Sequence, residues 1–185
     1  MGKGQAERLM VLVTEVMAAG GAGLSDLDAI GVGVGPGNFT GIRISVSAAR
    51  GLALGLGIPA VGVSTLEALA HGLPRPITVI EDARRGEVYV QEFDSTGGDD
   101  PLLLTPGDLP HVIAGGAVTG SAAGLAAAAL PGLAVLPPAL PLAEAIARIA
   151  AQRFRNPDLP RPAPLYLRAA DAAPSRHPSP MILPA

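Results

Sequence analysis

The stretch GVGVGPGNFTGIR, residues 31–43, constrains the fold more than any other part of the sequence, because it combines five glycines with a proline. It continues an apolar run and leads into a helical pattern that begins at about Thr40. Glycine accepts backbone angles that strain other residues, so the stretch predicts a tight turn between a buried strand and a helix. The chain must therefore place a helix N-terminus at the end of a strand.

This glycine-rich turn matches neither of two common phosphate-binding patterns. In a dinucleotide fingerprint two residues separate the second and third glycines, whereas three residues separate Gly37 from Gly41. A P-loop needs Lys and then Ser or Thr, and the sequence has Ile-Arg there. A helix N-terminus can still bind an anion through its N–H groups, but the failed patterns favour a structural turn in which Asn38 or Thr40 caps the helix. The candidate residues for either role are Gly35, Pro36, Gly37, Asn38 and Thr40.

Composition excludes several classes of function. Of the 185 residues, 49% are hydrophobic and 16% charged, which is typical of a packed core rather than of disorder. The net charge of -3 does not favour nucleic acid or an anionic membrane. Thiol chemistry is excluded by the absence of Cys, and Lys3 is the only lysine. No apolar span reaches the roughly 20 residues of a membrane helix, so we expect a cytoplasmic protein without membrane contact. Metal-ligand spacing is absent from the three histidines, so no metal site is expected; they are His71, His111 and His177.

Strand and helix patterns alternate along the chain, which predicts an α/β fold. Two lobes are expected, with a boundary between residues 62 and 76, dividing the chain into 1–64 and 65–185. Helices are predicted at 5–19, 40–55, 64–72, 118–129 and about 141–155; strands are predicted at 29–34, 58–63, 102–104, 111–116 and 133–136, with a hairpin at 77–94.

The helices at 5–19 and 40–55 are apolar on more than one side, so each should be covered by more than one neighbour. The second of them has a single polar line and carries Gly51 and Gly55 one turn apart. Glycine inside a helix costs about 1 kcal/mol relative to Ala. Close approach of another helix backbone would offset that cost.

Two polar features have both a structural and a functional interpretation. Ser64 resembles a nucleophile elbow that lacks its closing glycine, but with Glu67 it matches a helix capping box, which makes catalysis there improbable. The hairpin tip is the densest charge group, and such a tip is usually only solvated. An arginine pair can also bind a carboxylate, a phosphate or a partner loop. The residues of this tip are Asp82, Arg84, Arg85 and Glu87.

Residues 31–69, the segment DARRGEVYV at 82–90 and the segment PLYLR at 164–168 together resemble the bacterial TsaB (YeaZ) family of tRNA threonylcarbamoyladenosine biosynthesis proteins. The resemblance extends over nearly the whole chain. It implies an actin-like ATPase (ASKHA) superfamily fold with two lobes.

The resemblance also implies a non-catalytic subunit without catalytic residues of its own. Such a subunit pairs with TsaD, which transfers the threonylcarbamoyl group to adenosine 37 of ANN-decoding tRNAs, and the ATPase TsaE completes the complex. This chain would then meet tRNA and ATP only in the complex, and it would bind no cofactor itself. From the residues alone, an independent nucleotide hydrolase or phosphotransferase that uses the glycine turn stays open as the alternative.

In the family, the first two helices pair with TsaD or with a second copy of the same chain. They correspond here to the two helices that are apolar on more than one side. The candidate interface residues are Arg8, Leu9, Leu12, Val16, Arg43, Ser47, Arg50, Gly51 and Gly55.

Family members begin with a strand and hairpin that precede the first helix, whereas Met1 here lies almost at that helix. The resemblance therefore implies a first lobe that is N-terminally truncated by three strands, on the order of 30 residues. We expect the strand at 29–34 to have an unpaired edge. Such a chain should be less stable and should self-associate more readily than a longer form.

Overall fold

The computed structural model describes residues 5–168, and Lys3, His177 and the proline-rich segment after residue 168 lie outside them. Helices and strands alternate along most of this range, which confirms the α/β class. None of the helices in it is long and apolar enough to cross a membrane. The helices are α1 (Gln5–Ala19), α2 (Phe39–Leu56), α3 (Thr65–Ala70), α4 (Leu109–Val112), α5 (Ala123–Ala129) and α6 (Leu142–Arg153); the strands are β1 (Ile30–Gly33), β2 (Ala60–Val63), β3 (Ile77–Arg84), β4 (Glu87–Phe93), β5 (Leu102–Leu104), β6 (Ala117–Thr119) and β7 (Ala134–Val135).

The first sheet pairs β1 with β2 in parallel, and α2 makes the crossover between them. One core cluster joins Val32 of β1 to Val46 and Ala49 of α2. Another cluster joins Val61 of β2 to Ile149 and its neighbours in α6. Helices therefore cover both faces of this sheet, and the second of them comes from the C-terminal half of the chain.

Two glycines of β1 explain how α6 can lie so close to the first sheet. A Cβ atom at Gly31 would lie 2.9 Å from the Cβ of Ala150, and one at Gly33 would lie 3.3 Å from Cδ1 of Ile146. Real Cβ atoms essentially never come within 3.0 Å of another heavy atom, so position 31 requires glycine. These glycines of the opening motif therefore serve helix packing.

The second sheet has five strands in the order β5-β4-β3-β6-β7. Its centre is β3, which pairs antiparallel with β4 and parallel with β6. One face packs against α4 and α5 through the cluster that contains Ile80 and Val118. The other face packs against α3 through the cluster that contains Leu66 and Val79. The β3–β4 turn of this sheet lies near the N-terminal end of α2.

One predicted strand and one predicted helix start are wrong. The sequence pattern predicts a strand at 111–116, but the helix α4 occupies 109–112. Pro110 lies in the first turn of α4, where proline favours a helix. The left-handed Gly115 and Gly116, with φ of 132° and 91°, delay the strand to β6. The helix predicted from residue 118 consequently begins at Ala123.

The predicted division of the chain at residue 64 stays a prediction. The helix α6, from the second predicted part, packs on the sheet of the first part. Within the described residues β1 pairs only with β2. The predicted stability and self-association likewise stay predictions.

Candidate functional site

The glycine-rich turn is fixed by contacts within the chain. Gly35 has a φ of 98°, and a Cβ atom there would lie 2.7 Å from Cδ1 of Ile42. Its peptide bond to Pro36 is cis, and its carbonyl accepts a hydrogen bond of 2.8 Å from the N–H of Thr65. These contacts agree with the structural interpretation of the turn.

Helix α2 begins directly after this turn and is capped by Asn38. The Asn38 Oδ1 accepts a hydrogen bond of 2.7 Å from the N–H of Gly41. Thr40, the other candidate cap, lies inside the first turn of the helix and is exposed. Of the two residues that the sequence allowed, Asn38 therefore satisfies the helix end.

The turn, the start of α2, the β3–β4 turn and residues 165–168 surround one cleft of about 740 Å³. The sequence offered the glycine turn and the charged hairpin as two separate candidates, and the structure brings them together here. The polar residues that line the cleft are Asn38, Arg43, Asp82, Arg84, Arg85 and Arg168, and the aromatic ones are Phe39, Tyr89 and Tyr166.

Arg43 is held at the cleft by two aromatic rings. Its guanidinium carbon lies 3.9 Å from the centroid of the Phe39 ring and 5.6 Å from that of Tyr166. The Arg43 Nε also donates a 2.7 Å hydrogen bond to the Tyr166 hydroxyl. Cation–π contacts of this kind contribute about 0.5–1 kcal/mol at exposed sites. Arg43, predicted as a partner contact, is thus engaged with the cleft aromatics.

The β3–β4 turn carries an unusual backbone at both of its arginines. Arg84 has a φ of 62° and Arg85 a φ of 56°, followed by Gly86 at 76°. The N–H of Arg84 donates a 2.7 Å hydrogen bond to Oδ1 of Asp82, across a register shift in the hairpin. This contact fixes the path of the chain into the turn.

Residues 165–168 attach this hairpin to the first sheet. The N–H of Leu165 donates a 2.8 Å hydrogen bond to the carbonyl of Val34. Arg168 forms an ion pair with Glu87. The sequence showed PLYLR as an extended signature but did not assign Phe39, Tyr166 or Arg168 to a site. For Tyr166 and Arg168 the available signal was the charge and aromatic content of that short segment.

The outer faces of α1 and α2 form a second surface, which we call the helix face: Arg8, Leu12, Val16, Ser47, Arg50, Gly51, Leu54 and Gly55, all exposed. Leu54 is 85% exposed and Val16 is 62% exposed. A Cβ atom added at Gly51 or Gly55 would meet nothing within 4 Å. Leu9, also predicted here, is half-buried.

The remaining catalytic and metal candidates have other surroundings. Ser64 Oγ accepts a 3.2 Å hydrogen bond from the N–H of Leu66, as a helix cap does. Glu67 forms an ion pair with Arg153, so its carboxylate is engaged outside the predicted capping box. In the described part of the chain, no group of three or more His, Asp or Glu side chains is arranged to hold a metal ion.

Comparisons with known proteins agree with this architecture. The family model described as "TsaD: tRNA N6-adenosine threonylcarbamoyltransferase" matches residues 2–102. A solved structure described as an uncharacterized protein with similarity to peptidase YEAZ from Pseudomonas aeruginosa has a TM-score of 0.72 and 27% identity, covering 91% of this chain and 86% of that one. YeaZ from Pseudomonas aeruginosa has a TM-score of 0.66 and 27% identity, covering 89% and 85%.

No curated protein sequence matches the chain. The structural similarity confirms the resemblance to YeaZ (TsaB) and agrees with the predicted actin-like ATPase fold. The family match extends over more than half of the sequence and includes the glycine turn, both helices of the helix face and the charged hairpin. The chain therefore belongs to the family of TsaD, the tRNA N6-adenosine threonylcarbamoyltransferase.

Proposed function

We propose that the chain is a non-catalytic partner subunit in the synthesis of N6-threonylcarbamoyladenosine at position 37 of ANN-decoding tRNAs. In this proposal it binds a TsaD enzyme through the helix face, and TsaE joins the larger complex. It meets tRNA in the cytoplasm through the complex and carries out no bond-making step itself. The exposed apolar helix face is the observation that carries the proposal.

The helix face combines exposed aliphatic side chains with an open stretch of helix backbone. Leu54 and Val16 are large hydrophobic residues that are mostly exposed. Full burial of such a side chain stabilises by about 1.5–3 kcal/mol. Gly51 and Gly55 leave the α2 backbone open between them, so that a partner helix can approach closely. A helical partner surface fits this arrangement.

The proposal assigns no catalytic residue to the chain because the candidates have structural tasks. Gly35 and Asn38 hold the turn and cap α2. Ser64 caps α3, and Glu67 pairs with Arg153. These contacts also argue against the glycine turn as the phosphate loop of an independent hydrolase.

The test is size-exclusion chromatography with light scattering on the chain, alone and mixed with the TsaD of the same organism. We expect a peak at the summed mass for the unchanged chain. Gly51→Leu should weaken the complex by about tenfold or more, because the new side chain separates the two helices. Gly124→Leu is the matched control, since Gly124 is also a helical glycine whose Cβ would meet nothing within 4 Å.

Three outcomes separate the possibilities. Loss of the complex in Gly51→Leu but not in Gly124→Leu supports the helix face. Equal binding by Gly51→Leu and the unchanged chain contradicts this face as the interface. Absence of any complex with the unchanged chain contradicts the partner role, and a doubled mass of the chain alone would identify self-pairing instead.

A further inference from the structure

We propose that the cleft between α2, the β3–β4 turn and residues 165–168 binds a small organic phosphate, a phosphate monoester with a flat or apolar group. Arg43 and Arg84 are its principal phosphate ligands. This site is separate from the helix face and does not depend on the partner role of the chain.

The charge of the cleft matches a dianion. Four arginines line it, with Asp82 as the one carboxylate among its lining residues. Arg168 is already paired with Glu87, whereas Arg43 and Arg84 form no ion pair with the described residues. The whole chain has a net charge of -3, so this concentration is local. A phosphate monoester carries about 1.5–2 negative charges at pH 7, which would neutralise the two positive charges of Arg43 and Arg84.

Arg43 is oriented to bind an anion. Its Nε donates a hydrogen bond to the Tyr166 hydroxyl, and its guanidinium stacks on the Phe39 ring. Its two terminal nitrogens make no hydrogen bond to any residue from 5 to 168. A guanidinium fork binds phosphate oxygens in a bidentate manner, and one that is already fixed loses less freedom when it binds.

Arg84 is the second indication of a ligand. It holds a φ of 62°, a left-handed angle that costs a non-glycine residue about 1 kcal/mol or more. Strained backbone angles of this kind concentrate at ligand sites. Its guanidinium forms no ion pair or hydrogen bond with the described residues, although it lines the cleft. The strained position therefore carries a cation that has no protein partner in the described part of the chain.

The size and lining of the cleft indicate a ligand larger than inorganic phosphate. A volume of about 740 Å³ lies within the range of about 300–1,000 Å³ that is common for small-molecule sites. Phe39 is 39% exposed and Tyr166 is 45% exposed, so both rings can contact an added group. Leu165 and Leu167 add apolar lining. An organic group attached to the phosphate would occupy the part of the cleft that the phosphate itself does not fill.

The experiment is calorimetric titration of the full chain with phenyl phosphate, with inorganic phosphate and phenol as separate probes at matched ionic strength. We expect saturable binding of one phenyl phosphate, weaker binding of inorganic phosphate and no binding of phenol. Arg43→Gln and Arg84→Asn should each weaken phenyl phosphate binding by about tenfold or more, the usual effect of losing a charge-assisted hydrogen bond. Asparagine is chosen at position 84 because it tolerates the left-handed conformation.

Arg50→Gln is the matched control, because it removes the same charge from the same helix about 10 Å further along its axis. It should change the affinity for phenyl phosphate less than twofold. An equal loss in Arg50→Gln and Arg43→Gln would mean attraction by bulk charge and would overturn the site. Absence of saturable binding up to about 10 mM phenyl phosphate would also overturn it. Arg84→Gly serves as a second variant at that position if Arg84→Asn unfolds, since glycine accepts the same angle.

Discussion

At the scale of single residues, the two arginines of the β3–β4 turn have backbone angles that asparagine and glycine adopt more easily. Arg85 and Gly86 form a two-residue turn in which both φ angles are positive, 56° and 76°. This is the signature of a type I′ turn, for which Asn-Gly is a preferred sequence. Arginine is therefore not the residue that the backbone favours at position 84 or 85. A role of the two side chains explains their presence better than the turn does.

We predict that Arg85→Asn raises the free energy of unfolding by about 0.5–1 kcal/mol, because it relieves the backbone strain at a φ of 56°. Urea unfolding followed by circular dichroism measures the change. Arg155→Asn, outside the turn, should have a much smaller effect. A lower stability in Arg85→Asn would show that the contacts of the arginine side chain outweigh its strain.

A second prediction at this scale concerns Asp94. Hydrogen bonds from the hydroxyl and N–H of Thr96 and from the N–H of Gly97 hold the pKa of Asp94 below its ordinary value. Because the folded pKa is lowered, this stabilisation is fully present above the unfolded value and is lost as pH falls through the folded pKa. The free energy of unfolding should therefore fall less between pH 5 and pH 3, about the range of carboxylate titration, in Asp94→Asn than in the unchanged chain.

Urea midpoints at several pH values measure this difference. Asp100→Asn is the control, because Asp100 makes no hydrogen bond within the described residues. Parallel pH profiles for Asp94→Asn and the unchanged chain would contradict the prediction.

At the scale of the elements, close packing and open space distinguish glycines that look alike in the sequence. A Cβ atom at Gly62 of β2 would lie 2.8 Å from Cγ1 of Val34 and 3.4 Å from Cα of Pro162. A Cβ atom at Gly51 would meet nothing within 4 Å. The first glycine therefore serves packing within the fold, whereas the second leaves part of a surface open.

We predict opposite effects on stability from the same substitution at these two glycines. Gly62→Ala should lower the free energy of unfolding by about 1–3 kcal/mol, because the crowded site must shift. Gly51→Ala should raise it by up to about 1 kcal/mol, because alanine is the better helix former. Chemical denaturation of both variants measures the signs, and a stabilised Gly62→Ala would contradict the packing argument.

The long elements could be predicted from the sequence, and some short ones could not. The helices α1 and α2 and the β3–β4 hairpin have enough residues for their periodicity to be clear. The four residues of α4 do not, and the apolar segment around them fits a strand equally well. Neighbouring structure, including the left-handed Gly115 and Gly116, decides such segments.

At the scale of the whole molecule, the cleft depends on contacts between distant parts of the sequence. Its lining comes from residues 37–43, 82–89 and 165–168. Each part was noticed in the sequence, as a glycine turn, a charged tip and an extended signature. Their proximity could not be predicted from local patterns, because it results from the packing of the second sheet and residues 165–168 next to the first.

The helix α6 also connects distant parts of the sequence, because it packs on the first sheet. A substitution at Ile149 tests how much that sheet depends on the helix. Ile149 is 3% exposed and shares a core cluster with Val61 and Val63 of β2. We predict that Ile149→Ala lowers the free energy of unfolding by about 2–5 kcal/mol. Hydrogen exchange should show the largest loss of protection in β1 and β2.

Leu125→Ala is the control, since Leu125 is 49% exposed and should change stability little. If Ile149→Ala leaves exchange in the first sheet unchanged while α6 loses protection, the sheet does not depend on that helix.

The position of α6 has a consequence for the newly made protein. Strand β2 ends at Val63, whereas α6 begins at Leu142, about eighty residues later. At about 5–20 residues per second, a ribosome needs roughly 4–16 seconds to make that interval. During synthesis, Val61 and Val63 therefore remain uncovered by α6 for that time. The emerging chain therefore offers chaperones an aliphatic segment that the finished protein conceals.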